Sequence, residues 1–164
     1  MRYAAGFITR EEEAALLRTI GELPFTEAKH REYTARRRIM LYGQGVPDFL
    51  LPLRERVAGW IGAPADQFRQ VLINEYRPGT PLGWHRDAPE YGVVGGVSLG
   101  ASCIMRLRPY PPRRGRNPDV LSLTLEARSA YIFRSSARWS WQHCIPPTKA
   151  LRYSITFRTL QDGQ

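Results

Sequence analysis

Leu151-Arg152-Tyr153-Ser154-Ile155-Thr156-Phe157-Arg158 is the stretch that decides the fold. Successive residues of an extended chain point to opposite faces, so Tyr153, Ile155 and Phe157 form one face and Arg152, Ser154, Thr156 and Arg158 the other. Such a strand is either half-exposed, with its polar face in water, or it lines a polar interior. The same signature recurs upstream. Asn74 and Tyr76 share a face in Val71–Tyr76, and His85 and Asp87 share one further on. In a jelly roll these polar faces look inward on one cavity, and its cations and hydrogen-bond donors suit a small dianion.

Working outward from this strand, the second half of the chain has a strand-like period. Short strands are expected near 84–87, 94–99, 102–108, 119–125, 129–133, 138–144 and 151–159, after a strand at Val71–Tyr76 closed by Pro78-Gly79. This density of short strands predicts a sandwich, barrel or jelly roll. A loop rich in Pro and Arg spans 109–118. Upstream, the Thr9-x-x-Glu12 capping box opens an amphipathic helix through about Ile20. A second helix starts near Pro52 and stops at Gly62. Both helices are expected on one outer face. Residues 23–47 read as an irregular or hairpin segment carrying Arg36-Arg37-Arg38 and Ile39-Met40-Leu41-Tyr42. The fold class is mainly β with flanking helices (α+β).

The chain has 164 residues, the length of one domain, with 43% apolar content and a net charge of +9. All basic residues except Lys29 and Lys149 are arginines. That balance fits a polyanion partner, because a guanidinium grips phosphate with a planar fork. The plain alternative is a genome that favours Arg codons. Cys103 and Cys144 are too few for a disulfide scaffold or an all-cysteine metal site, so free thiols in a reducing cytoplasm are expected. No apolar run approaches the roughly 20 residues of a membrane helix, and the first residues lack an apolar leader. A cytoplasmic monomer with no membrane partner is the expectation.

His85-Arg86-Asp87 is the metal candidate, since one imidazole and one carboxylate two residues apart reach a single ion. Two histidines and one carboxylate form the facial triad of non-haem Fe(II) oxygenases. With three histidines in the chain, the third ligand is His30 or His143. His143 stands one strand before the arginine-bearing strand, and His30 lies in a charged segment.

Taken in order, Asn74-x-Tyr76, His85-x-Asp87, Ser98-Leu99-Gly100, His143 and Arg152-x-Ser154-x-Thr156-x-Arg158 resemble the AlkB family of Fe(II)/2-oxoglutarate-dependent dioxygenases. The Gly6-Phe7-Ile8-Thr9 start is also similar. The resemblance implies a double-stranded β-helix (jelly roll) with N-terminal helices packed on one face. It also implies that His85, Asp87 and His143 hold Fe(II), with 2-oxoglutarate and O2 as co-substrates. Arg152 would pair with the distal carboxylate of 2-oxoglutarate, a bidentate and charge-assisted contact. Arg158 would lie near the metal-proximal carboxylate, and Asn74, Tyr76 and Ser154 would complete the co-substrate site. The implied reaction is oxidative demethylation of N-alkylated bases in DNA or RNA, with release of formaldehyde, succinate and CO2. It needs no separate protein acid or base.

Two departures bear on the substrate. Pro89 stands where many nucleic-acid-acting members carry an acidic residue, with Glu90 one further on. The stretch between His143 and Arg152 is short, which reduces the lid. For a flipped base and its phosphates the lid over 23–47 offers Tyr33, Met40 and Tyr42 next to Arg36, Arg37 and Arg38, with Trp84 beside the presumed ligands. The alternatives are the same oxygenase chemistry on a protein side chain or small molecule and, more remotely, a non-enzymatic nucleic-acid-binding module.

Overall fold

Eleven strands in two sheets surround the interior, as seen in a computed structural model that describes residues 1–29, 34–112 and 119–161. In chain order the elements are β1 (Arg2–Ala4), α1 (Arg10–Gly21), β2 (Thr26–Lys29), β3 (Thr34–Tyr42), α2 (Leu51–Ile61), β4 (Phe68–Tyr76), β5 (Leu82–His85) and β6 (Tyr91–Gly100). They continue with β7 (Cys103–Pro109), β8 (Leu121–Leu125), β9 (Ala130–Phe133), α3 (Ser136–Trp139), β10 (Trp141–Ile145) and β11 (Arg152–Leu160). The large sheet runs β1-β9-β6-β11-β4-β3-β2 and the small one β5-β10-β7-β8, with antiparallel pairing throughout. This is the double-stranded β-helix, or jelly roll.

The helices follow local chemistry. The Thr9 hydroxyl accepts from the Glu12 N–H at 3.1 Å, and the Glu12 carboxylate accepts from the Thr9 N–H at 2.8 Å. Those two bonds satisfy donors that the first turn of α1 would otherwise leave bare. Pro52 opens α2, and Gly62, at φ 76°, closes it in the left-handed conformation that favours glycine. Both helices pack on one face of the large sheet. Ile20, Leu53, Val57 and Ile61 meet Ile73, Val97, Ile155 and Phe157 there. A second core between the sheets holds Val94, Met105, Leu107, Leu125, Tyr131 and Phe133.

Parity on β11 then decides the interior. Tyr153, Ile155 and Phe157 go to the helix-side core. Arg152, Ser154 and Thr156 are buried on the other face, between the sheets. The polar face is therefore not the exposed side of a half-buried strand. Several boundaries differ from the sequence reading. β4 begins at Phe68 and β6 at Tyr91, and 138–144 splits into α3 followed by β10. β1, too short to carry a period, docks on β9 with Arg2 opposite Ile132. Within 23–47, β2 and β3 pair as antiparallel strands at one edge of the large sheet. No described helix is long and apolar enough to cross a membrane.

Candidate functional site

β5 and β10 bring two distant histidines together. His85 and His143 are direct cross-strand partners, with ring centroids 4.2 Å apart. The His143 ring also stacks on Phe133 at 4.8 Å. The His85 Nδ1–H donates to the Gly83 carbonyl at 2.9 Å, which fixes the tautomer and leaves Nε2 with its lone pair toward the cavity. Burial depresses the pKa of both rings, and for His143, with His85 beside it, the value falls to about 3. Both imidazoles are neutral at pH 7, the form a metal requires.

Asp87 lies just past the end of β5, yet its carboxylate turns inward, 3.6 Å from a guanidinium nitrogen of Arg158 on β11. Burial pushes this carboxyl up. The surrounding His143, Arg158, His85 and Arg138 more than offset that and hold it below the ordinary value. His85, Asp87 and His143 all line one small polar cavity between the sheets, together with Asn74, Ser154 and Arg158. As they stand, no group of three or more His, Cys, Asp or Glu among the described residues is arranged to hold a metal ion. The neutral imidazoles and ionised carboxylate are nevertheless the donor set that Fe(II) takes.

A further buried cation, outside the cavity lining itself, shares the β11 face of Ser154 and Thr156. Arg152 is 1% exposed and donates from Nε to the Ser98 hydroxyl at 3.0 Å, with its guanidinium 5.0 Å from the centre of the Tyr76 ring. Its Nη1 is buried without a hydrogen-bond partner, and so are Nε of Arg158, Oδ1 of Asn74, and Nε and Nη1 of Arg37. No carboxylate among the described residues pairs with Arg152. A buried cation with no counter-ion is expensive, and so are donors left unmade. The orphaned guanidinium N–H groups are donors that an anion would satisfy, whereas Oδ1 of Asn74 is an acceptor. Asn74 donates to the Ser154 hydroxyl at 3.3 Å across the β4–β11 pair.

Strand parity corrects the lid. β3 pairs with β4 so that Ile39 faces Asn74 and Arg38 faces Glu75. The cavity side of β3 is therefore its odd-numbered side, and Arg37 lines the cavity. Met40 and Tyr42 pack against the helix-side core. Arg38 is committed to Glu75 through Nε at 2.7 Å and Nη2 at 3.0 Å, and Arg36, exposed, has the same even parity. These four were expected to contact substrate, and their side chains leave the cavity. Trp84 also turns outward, where Arg108 lies over its ring at 4.3 Å. His30, Tyr33 and the Arg113, Arg114 and Arg116 cluster lie outside the described residues.

Three side chains of the site escaped the sequence reading, and a fourth, Arg37, was named there only as one of a run of arginines. Arg37 was hidden because Ile39-Met40-Leu41 is apolar on both parities and gives no period. Ser98, noted only as part of a tripeptide, positions Arg152. Tyr131 lines the cavity, with its hydroxyl pKa raised by burial, and its ring lies against Gly96 where a Cβ would overlap it. Arg138, 3% exposed, donates to the carbonyls of Ala88 and Tyr91 and so ties down the segment after Asp87.

The family model described as "2OG-Fe(II) oxygenase superfamily" matches residues 1–158. Uncharacterized protein L905 of Acanthamoeba polyphaga mimivirus is 28% identical over 179 residues, covering 94% of this chain and 81% of the relative. An alkylated DNA repair protein ALKBH8 homolog of Arabidopsis thaliana is 26% identical over 177 residues, covering 87% of this chain but 49% of the relative, about half its length. Among solved structures, OsALKBH1 superposes with a TM-score of 0.73 at 15% identity, covering 96% of this chain and 95% of that one. A Pseudomonas putida prolyl-4-hydroxylase gives 0.67 at 15% identity over 98% of this chain and 92% of that one.

Proposed function

The chain belongs to the 2OG-Fe(II) oxygenase superfamily, where it is an AlkB-like, 2-oxoglutarate-dependent dioxygenase, and within that class we propose that it is an oxidative demethylase of N-alkylated nucleic-acid bases. We read residues 1–164 as one dioxygenase domain whose 23–47 segment serves as a reduced lid. His85, Asp87 and His143 would hold Fe(II). When bound with 2-oxoglutarate and O2, Fe(II) supplies the oxidation of an unactivated C–H bond, with 2-oxoglutarate decarboxylated to succinate. The protein's own residues do the rest.

Arg152 takes the distal carboxylate of 2-oxoglutarate with the fork that Ser98 and Tyr76 orient. Arg158 neutralises the metal-side carboxylate while staying against Asp87. Asn74 and Ser154 hydrogen-bond the co-substrate, and the Tyr76 ring closes the wall beside Arg152. Leu72, Leu82 and Val94 keep the cavity's apolar walls dry, which strengthens every ionic contact inside. Hydroxylation of an N-methyl group gives a hemiaminal that releases formaldehyde unaided, so no protein acid or base is required.

The observation that carries the reading is the buried, counter-ion-free Arg152 on the same β11 face as the residues lining the His85–Asp87–His143 cavity. The substrate half rests on the alkylated-DNA-repair relative, on the +9 charge and on Arg37 at the cavity wall. One feature favours a protein side chain instead. No aromatic residue on the described part of β3 faces the cavity, so a base finds no stacking platform there. The test is anaerobic reconstitution with Fe(II) and 2-oxoglutarate, then admission of O2 with methylated single-stranded DNA, methylated RNA and a peptide pool. Formaldehyde and succinate formed with a methylated oligonucleotide support the proposal. Succinate formed only with peptide moves the substrate to protein.

A further inference from the structure

The small sheet's outer face carries arginines, and its strands hold no acidic residue. Inner and outer residues alternate on β7, with Cys103, Met105 and Leu107 buried and Ile104 and Arg106 exposed. Arg106 and Arg108 point outward about 7 Å apart along the strand. Across the sheet, Arg108 sits beside Gln142, donating from Nε to its Oε1 at 3.0 Å, and lies over Trp84. At the same end, Arg86 stacks over Tyr110 with 3.8 Å from guanidinium to ring centre and donates to the Trp139 carbonyl at 3.0 Å.

No Asp or Glu occurs in β5, β7, β8 or β10. On other surfaces some arginines find carboxylates, as Arg38, Arg54, Arg56, Arg77, Arg128 and Arg158 do. Arg86, Arg106 and Arg108 pair with none among the described residues. Two of these guanidiniums are held instead by aromatic rings, which fixes their planes and leaves charged N–H edges free for an incoming anion.

We propose that this outer face is a track for the phosphodiester backbone of a nucleic acid. Arg106 and Arg108 take separate phosphates, and Arg86, which sits in the chain between His85 and Asp87, carries the strand to the cavity. The track deepens the nucleic-acid reading above and rests on it for its biological sense. Its physical content is independent, because backbone binding needs no methylated base.

The test compares wild-type protein with R106E/R108E and with R10E/R18E, an equal charge change on the exposed side of α1. Binding of an unmethylated single-stranded oligonucleotide is followed by fluorescence anisotropy from low to moderate salt, with circular dichroism confirming the fold of each variant. For two lost phosphate contacts the slope of log K against log salt becomes shallower by about 1.4. Affinity falls at least about tenfold in R106E/R108E, clearly more than in R10E/R18E, and R106Q/R108Q loses an intermediate amount. Equal losses in the two charge-reversed proteins, or no oligonucleotide binding by the wild type, overturn the track. Wild-type turnover of methylated oligonucleotides is scored separately. Turnover with an unaltered R106E/R108E slope leaves the demethylase reading standing without the track. A lost slope with no turnover of any methylated base leaves the track standing without the demethylase.

Discussion

Replacing Arg152 with Met separates binding from folding. The substitution keeps an unbranched stem against Tyr76 and removes a guanidinium that is 1% exposed, has no carboxylate partner and carries a bare Nη1. For co-substrate binding, the lost contact is a buried cation to a carboxylate, worth about 3–5 kcal/mol when one side is removed. At 1.4 kcal/mol per tenfold, 2-oxoglutarate binding weakens by at least about 100-fold. For folding, relief of an unsatisfied buried cation offsets the loss of the bond to Ser98, itself worth about 1 kcal/mol. Net stability therefore stays within about 1 kcal/mol of wild type, a shift of roughly 2–4 °C in Tm for a chain of this size. Anaerobic calorimetry of 2-oxoglutarate with Mn(II) in place of iron measures the first quantity, and a thermal melt without ligand measures the second. Binding retained within tenfold would refute the assignment. So would a Tm lower by more than about 8 °C, which would make Arg152 a structural residue rather than a receptor.

Other outcomes follow from the same geometry. Glu75 accepts from Arg38, from Arg77 at 3.1 Å and from the Tyr153 hydroxyl at 3.2 Å, and the bond from Arg38 holds its pKa below the ordinary carboxylate value. It therefore stabilises the fold at neutral pH and loses that contribution as the pH falls below the usual carboxylate range. E75Q costs about 2 kcal/mol in urea unfolding at pH 7 and flattens the acid limb of the Tm–pH profile. Gly96→Ala drives a methyl into the Tyr131 ring, costs about 1–3 kcal/mol by overpacking, and raises the KM for 2-oxoglutarate as the ring is displaced into the cavity. His143, depressed to about 3, is neutral when folded but takes up a proton when unfolded below about 6.5. Metal-free protein thus loses stability as the pH falls from 6.5 toward 3, and His143→Leu gives a shallower Tm decline over that window.

The fold was legible wherever one period dominates. The β11 alternation, the Thr9–Glu12 box and the Pro52–Gly62 limits each carry their own physical signature, and the structure builds each as a strand or helix. Period failed on β3, where Ile39, Met40 and Leu41 are all apolar. Register against β4 alone sends Arg37 to the cavity and Met40 and Tyr42 to the core. The same holds for β1, whose three residues become a strand because β9 offers an open edge. At the site, the sequence named residues that the fold brings to one cavity from β4, β5, β10 and β11. It could not supply the partners that position them, because Ser98, Tyr131 and Arg138 act through tertiary contacts that leave no local pattern. Asp87 shows the limit well. The same-face argument assumed a strand, while the chain has already left β5 there and the carboxylate turns inward beside Arg158.

Iron stoichiometry under anaerobic conditions, measured by elemental analysis after equilibrium dialysis against Fe(II) and 2-oxoglutarate, addresses the proposed metal ligands without relying on any substrate. A single Fe(II) per chain in the wild type, lost in each of His85→Ala, Asp87→Ala and His143→Ala while their folds persist by circular dichroism, is the expected result. Iron retained at full occupancy by any of the three folded variants contradicts it.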